Sequence, residues 1–300
     1  MLTVAITNQK GGVGKTTTAV NLSAGLARLG RRVLLVDLDP QANATTGVGI
    51  DHRSVERSLY DCLIEEVDPN TVRMRTAYEG LDLLPSTIDL AGAELELVAA
   101  IARETKLRRV IDRISGYDVV LIDCPPSLGL LTVNGLTAAQ KVLIPIQCEY
   151  YALEGLSQLL RNIELVRAGL NPTLDIGGIV LTMYDARTKL SEEVTREVRE
   201  HFGDKVFSTI VPRSVRLSEA PSYGQPAIAY DPYARGSKAY IWLAEEFDRR
   251  FFGPAPGIGA QAPAQPPPLE EPQADSVEPV SEILPTERET REENHGEGAA

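Results

Sequence analysis

Along residues 1–253, short β-branched and aliphatic runs alternate with longer stretches whose apolar positions recur at helical spacing. That alternation predicts a mostly parallel sheet flanked by helices on both faces. The strand-like runs are residues 3–7, 32–37, 81–84, 119–123, 141–146, 178–182 and 206–211. Helical stretches at 15–29, 153–168 and 191–202 each stop at a glycine (Gly30, Gly169 and Gly203), the residue that most readily takes the left-handed turn ending a helix. A last helix is predicted over 237–252, with Tyr240, Leu243, Phe247 and Phe251 on one stripe. The expected fold class is therefore α/β, a doubly wound sheet without internal repeats. In open sheets of this kind ligands lie beyond the carboxyl ends of the strands, which directs attention to the loops after Thr7, Asp37, Asp123 and Thr182.

Composition adds a boundary. The chain is 43% hydrophobic and 24% charged over 300 residues, ordinary values for a globular protein. From Pro254 to Ala300 the picture changes: ten acids face two arginines, and nine of the twenty prolines fall here. These residues carry −8 of the net −12, leaving −4 for residues 1–253. A segment so poor in apolar side chains cannot offset its ordering entropy, so 254–300 is expected to be a disordered, acidic, Pro/Glu-rich tail behind a single domain at 1–253. Apolar runs such as Val119-Val120-Leu121-Ile122 are far shorter than the roughly 20 residues that span a bilayer. The first residues lack the pattern of a secretory signal, which predicts an intracellular protein. Cys62, Cys124 and Cys148 have neither disulfide-framework nor metal-site spacing and read as buried thiols.

Directly after the first strand comes Asn8-Gln9-Lys10-Gly11-Gly12-Val13-Gly14-Lys15-Thr16-Thr17, then a helix. Glycines let successive N–H groups turn toward an anion, and the helix N-terminus adds partial positive charge. Phosphate is the natural ligand, with Lys15 bridging β- and γ-phosphates, Thr16 placed for Mg²⁺ and Thr17 for the α-phosphate. The usual phosphate-loop pattern has glycine five residues before Gly14; Gln9 stands there, and Lys10 is an additional lysine. A bound magnesium polyphosphate also needs a carboxylate for the metal's water shell and a group to position attacking water. Asp37 and Asp39 end one apolar strand, and Asp123 ends another.

Lys10–Thr17, residues 37–43 and residues 122–127 together resemble the ParA/Soj chromosome- and plasmid-partitioning ATPases of the deviant Walker A group, to which MinD also belongs. The likeness runs from Leu2 to about Phe251 and includes residues 149–155, 182–187, 211–213 and 218–221. It implies a P-loop NTPase fold, ATP and Mg²⁺ as cofactors, and weak ATP hydrolysis stimulated by a ParB-type centromere-binding partner. It implies ATP contacts from Lys10, Gly11, Gly12, Val13, Gly14, Lys15, Thr16 and Thr17, with Met183, Pro212 and Ser214 around adenine. Many relatives carry asparagine at the Ser214 position. Lys10 would reach across a homodimer to the partner's nucleotide, with Gly11 at the seam. Asp39 would position the hydrolytic water, making Lys10, Lys15 and Asp39 the catalytic set, and Thr16, Asp37 and Asp123 would support Mg²⁺. Arg187 and Arg216 match positions that bind DNA without sequence preference, which implies a nucleoid-associated protein of the cytoplasm.

Composition alone does not show a DNA surface, because residues 184–253 hold eleven basic and eleven acidic side chains. Any patch must come from geometry, gathering Arg187, Lys189, Arg213, Arg216, Arg235 and Lys238. A MinD-like membrane-positioning role would need a basic amphipathic terminal helix; Glu245, Glu246 and Asp248 crowd the polar face of 237–252, so core packing is expected and no membrane partner. A non-partitioning scaffold that uses ATP only to switch between monomer and dimer fits the same motifs.

Overall fold

In the computed structural model, which describes residues 1–149 and 152–253, eight strands form one sheet in the order β3-β4-β2-β5-β1-β6-β7-β8. They are β1 (Leu2–Ile6), β2 (Val33–Asp37), β3 (Met74–Arg75), β4 (Leu81–Leu84), β5 (Val119–Asp123), β6 (Lys141–Gln147), β7 (Asp175–Tyr184) and β8 (Val206–Pro212). All neighbours run parallel except β3 and β4. The described residues belong to one compact unit, Met1–Pro263. The expected acidic tail at 254–300 lies outside the described residues.

Side chains alternate across the sheet and feed two cores. Leu34, Val36, Val120 and Ile122 join one; Val33, Leu35, Val119 and Leu121 join the other, beneath the helices Lys15–Arg28 and Arg235–Phe252. These two helices are close: a Cβ at Gly25 would lie 2.7 Å from the Ala244 methyl. The Thr18 and Tyr240 hydroxyls hydrogen-bond at 3.0 Å, and Arg31 holds Asp248 at 2.6 Å while stacking on Phe252. Tyr240, Leu243 and Phe247 are fully buried here, so the terminal stripe is spent on the core. Among the described residues no helix is long and apolar enough to cross a membrane.

Two differences from the expected elements have physical causes. Strand β3 is only two residues long, too short to show a period, and pairs antiparallel at the sheet edge. Strand β7 begins at Asp175, three residues before the expected start, because Gly177 and Gly178 belong to it. At Gly178 a Cβ would fall 2.2 Å from the Phe207 ring, so these glycines admit packing rather than break the strand. The three cysteines are free and buried, and burial raises Cys62 to about 12 and Cys148 to about 11.

Candidate functional site

The loop after β1 is anchored from below by Asn8, whose Nδ2 donates to the Pro145 carbonyl (2.8 Å) while its Oδ1 accepts from Lys10 N–H (3.0 Å). Gly12 (φ 74°) and Gly14 (φ 86°) take left-handed conformations that side chains resist, wrapping the loop toward the helix Lys15–Arg28. The Thr182 hydroxyl fixes the far side by donating to the Val13 carbonyl at 2.9 Å. The helix begins at Gly14 with no side-chain cap and no acid in its first turn. Among the described residues no side chain caps its first N–H groups, the arrangement with which helix starts bind anions. Lys15 is 7% exposed, its Nζ donating to the Lys10 carbonyl at 3.1 Å. Burial lowers its pKa, opposed chiefly by Asp123.

Parallel pairing brings the acids in. β2 and β5 are in register at Asp37 and Asp123, and β1 places Ile6 beside Asp123, so both carboxylates sit at the mouth of the phosphate loop. Asp37 Oδ2 accepts from the Thr45 N–H and hydroxyl, both at 2.7 Å, and Oδ1 accepts from Asp39 N–H at 3.2 Å. Burial still lifts its pKa to about 6. Asp123 differs: it is completely buried, yet among the described residues neither oxygen has a partner of acceptable hydrogen-bond geometry. Burial and then the Asp37 charge hold it well above the carboxylate range, opposed by the nearby Thr16 hydroxyl and the Lys15 ammonium. A buried carboxylate with open lone pairs is a site for a cation. Among the described residues no three His, Cys, Asp or Glu side chains cluster as a metal cage. A cation held by one or two carboxylates beside a phosphate loop draws its other ligands from phosphate and water, the habit of Mg²⁺. Asp39 is nearly buried, and its carboxylate accepts from Gln41 N–H at 2.9 Å.

Lys10 is half exposed and pairs with Glu149 at 3.2 Å, a carboxylate that Arg213 also approaches at 3.6 Å and Gln147 contacts through its amide. Gly11 has open space where a Cβ would stand, so no described residue of its own chain demands its smallness. Met183 (φ 52°) and Pro212 lie at the adjoining ends of β7 and β8, where Arg213 N–H donates to the Tyr184 carbonyl at 3.0 Å. Ser214 abuts Gly236. A cavity of about 400 Å³ opens beside Thr16 and Thr17, walled by Asn43, Thr46, Leu217 and Pro221. Met183, Pro212 and Ser214 do not line it. Both arginines are exposed and paired: Arg187 grips Asp185 through two bonds (2.9 and 2.8 Å), and Arg216 holds Glu219 (2.7 Å) and Asp231 (3.3 Å).

Sequence reasoning did not single out Thr45 and Ser86, or a partner role for Glu149. Glu149 belongs to a motif segment but its pairing with Lys10 leaves no local mark; Thr45, in the short helix Asn43–Gly47, and Ser86, in the loop after β4, are ordinary hydroxyls with no local signal.

The chain matches the AAA_31 family model, an AAA domain, over residues 1–176. It is 58% identical over 244 residues to the sporulation initiation inhibitor protein Soj of Bacillus subtilis, covering 81% of this chain and 96% of that protein. It is 53% identical over 246 residues to the chromosome partitioning protein ParA of Caulobacter vibrioides, covering 81% and 92%. Among solved structures it resembles the cobyrinic acid a,c-diamide synthase of Mycobacterium smegmatis with bound ADP and magnesium, at TM-score 0.74 and 40% identity over 84% of this chain and 96% of that one. It also resembles the cell division ATPase MinD of Pyrococcus furiosus, at TM-score 0.69 and 31% identity over 83% and 98%.

Proposed function

This chain belongs to the ParA/Soj family of chromosome-partitioning ATPases, and from that premise we propose that it hydrolyses ATP with Mg²⁺ to cycle between a free chain and a DNA-bound sandwich dimer. The observation that carries the reading is the uncapped, glycine-turned helix start bearing Lys15, set against the unpartnered carboxylate of Asp123. One group is built to receive phosphate oxygens, the other to receive the accompanying cation.

The loop amides of residues 11–17 and the Lys15 ammonium bind the phosphate chain, with Thr17 on the α-phosphate side. Thr16, Asp37 and Asp123 would hold Mg²⁺, which when bound neutralises phosphate charge and polarises the γ-phosphoryl group. Asp39, at the turn following the metal-side aspartate, orients the attacking water. Met183, Pro212 and Ser214 enclose adenine. Lys10 leaves Glu149 and crosses to the partner's nucleotide; the exposed pair it abandons is worth little, so a triphosphate outcompetes it. The open space at Gly11 is where the second copy approaches. Because the cation is lent across the seam, assembly depends on the γ-phosphate, and hydrolysis, stimulated by a ParB-type partner, releases the dimer.

On DNA, Arg187 and Arg216 exchange their carboxylates for backbone phosphates, a trade that gains only where several phosphates are met at once, as on a dimer. Sedimentation at saturating ATP and magnesium with hydrolysis blocked should show twice the chain mass. Filter binding of duplex DNA should appear under the same conditions, independent of sequence, and should weaken at least tenfold between about 50 and 200 mM salt. A chain that stays single, or DNA retention indifferent to salt, refutes this reading; ATP-driven binding to vesicles instead would favour the MinD-like role.

A further inference from the structure

Outside the motif residues, one buried residue is tied to both Asp37 and Asp39, to the first through Thr45 and to the second through its carbonyl. Ser86 lies two residues past the end of β4 and is fully buried. Its hydroxyl donates to the Asp39 carbonyl at 2.7 Å, and its N–H donates to Thr45 Oγ1 at 3.0 Å. Thr45 passes the restraint on, giving its hydroxyl and its N–H to Asp37 Oδ2. One residue from the neighbouring strand thus grips the 37–45 loop at both ends. The loop's remaining bonds are mostly to itself: Gln41 N–H to the Asp39 carboxylate, Ala42 N–H to the Asp39 carbonyl, and Asp39 N–H to Asp37. Such turns fix the loop's shape but not its orientation against the sheet. Orientation comes from the buried Leu38 and Ala44 side chains, from the Leu38 N–H bond to the Asp123 carbonyl at one end, and from Ser86 beyond it.

We propose that Ser86, acting through Thr45 and the Asp39 backbone, is a positioning residue for ATP hydrolysis that sets the Asp37–Asp39 loop against the phosphate site; the inference rests on the ATPase reading above. A misplacement of a fraction of an ångström at Asp39 slows the chemical step while leaving the phosphate loop, which Ser86 does not touch, able to bind nucleotide.

In Ser86→Ala the Asp39 carbonyl retains its Ala42 bond, so the chain should fold and melt close to the parent. Its kcat is expected to fall about tenfold, while KM and the affinity for a fluorescent ATP analogue stay within about twofold. Thr45→Val, which deprives Asp37 and the Ser86 N–H together, should reproduce the loss, and Thr45→Ser should restore it. In single-turnover measurements Ser86→Ala should cause no additional loss on an Asp39→Ala background. A kcat unchanged in Ser86→Ala beside a severely slowed Asp39→Ala overturns the inference alone, as does an equal loss in the two backgrounds. Asp39→Ala turning over at the parent rate overturns the assignment of Asp39 and this inference with it.

Discussion

Replacing Lys15 with alanine is expected to weaken ATP binding by about 10² to 10³-fold, the loss of one or two charge-assisted hydrogen bonds from a desolvated ammonium. Lys15 is nearly buried and lies close to Asp123 and Asp39, so the variant removes a cation and also leaves acids at the loop with less to oppose their repulsion of phosphate. Stability should not follow. A buried ammonium whose one hydrogen bond among the described residues runs to the Lys10 carbonyl contributes little to the fold, and burial already disfavours its charge. Equilibrium titration with a fluorescent nucleotide, beside a melting curve without nucleotide, separates the two effects. Affinity within threefold of the parent would show that the phosphate chain lies elsewhere.

Asp39→Ala should separate binding from turnover in the opposite sense. The carboxylate's hydrogen bond is to Gln41 N–H within its own turn, so its removal costs the fold about 1 kcal/mol. Among the described residues no hydrogen bond joins the Asp39 carboxylate to the phosphate loop, so binding does not depend on it. Hydrolysis is expected to drop about 10² to 10³-fold, with ATP affinity nearly unchanged, because only the positioning of water is lost. The ATP-loaded dimer then persists, and DNA retention outlasts that of the parent after dilution. Phosphate release and dimer lifetime are the measurements, and parent-like phosphate release would refute the role given to Asp39.

The contrast between these two residues and Ser86 shows how legibility depends on distance along the chain. Lys15 belongs to a run of ten residues whose parts are local, namely glycine turns, a helix start and a cation on its first turn, although Pro145 and Thr182 anchor it from afar. Asp37 and Asp123 were readable for a second reason, since each ends an apolar run and strand ends are where α/β sheets present chemistry. The arginines were readable as positions but not as ion pairs. Asp185 is two residues from Arg187, yet Asp231 reaches Arg216 from fifteen residues away.

The sequence by itself determined the alternation of strands and helices, the phosphate loop, and the three acids, because periodicity and turn chemistry act over a few neighbouring residues. Tertiary structure alone decided that β2 and β5 are neighbours, that Asp123 is left without a partner, that Lys10 rests on Glu149, and that Ser86 grips the loop of Asp37 and Asp39. Those facts depend on strand order and register, which are chosen by the joint burial of two cores, and no local pattern encodes that choice.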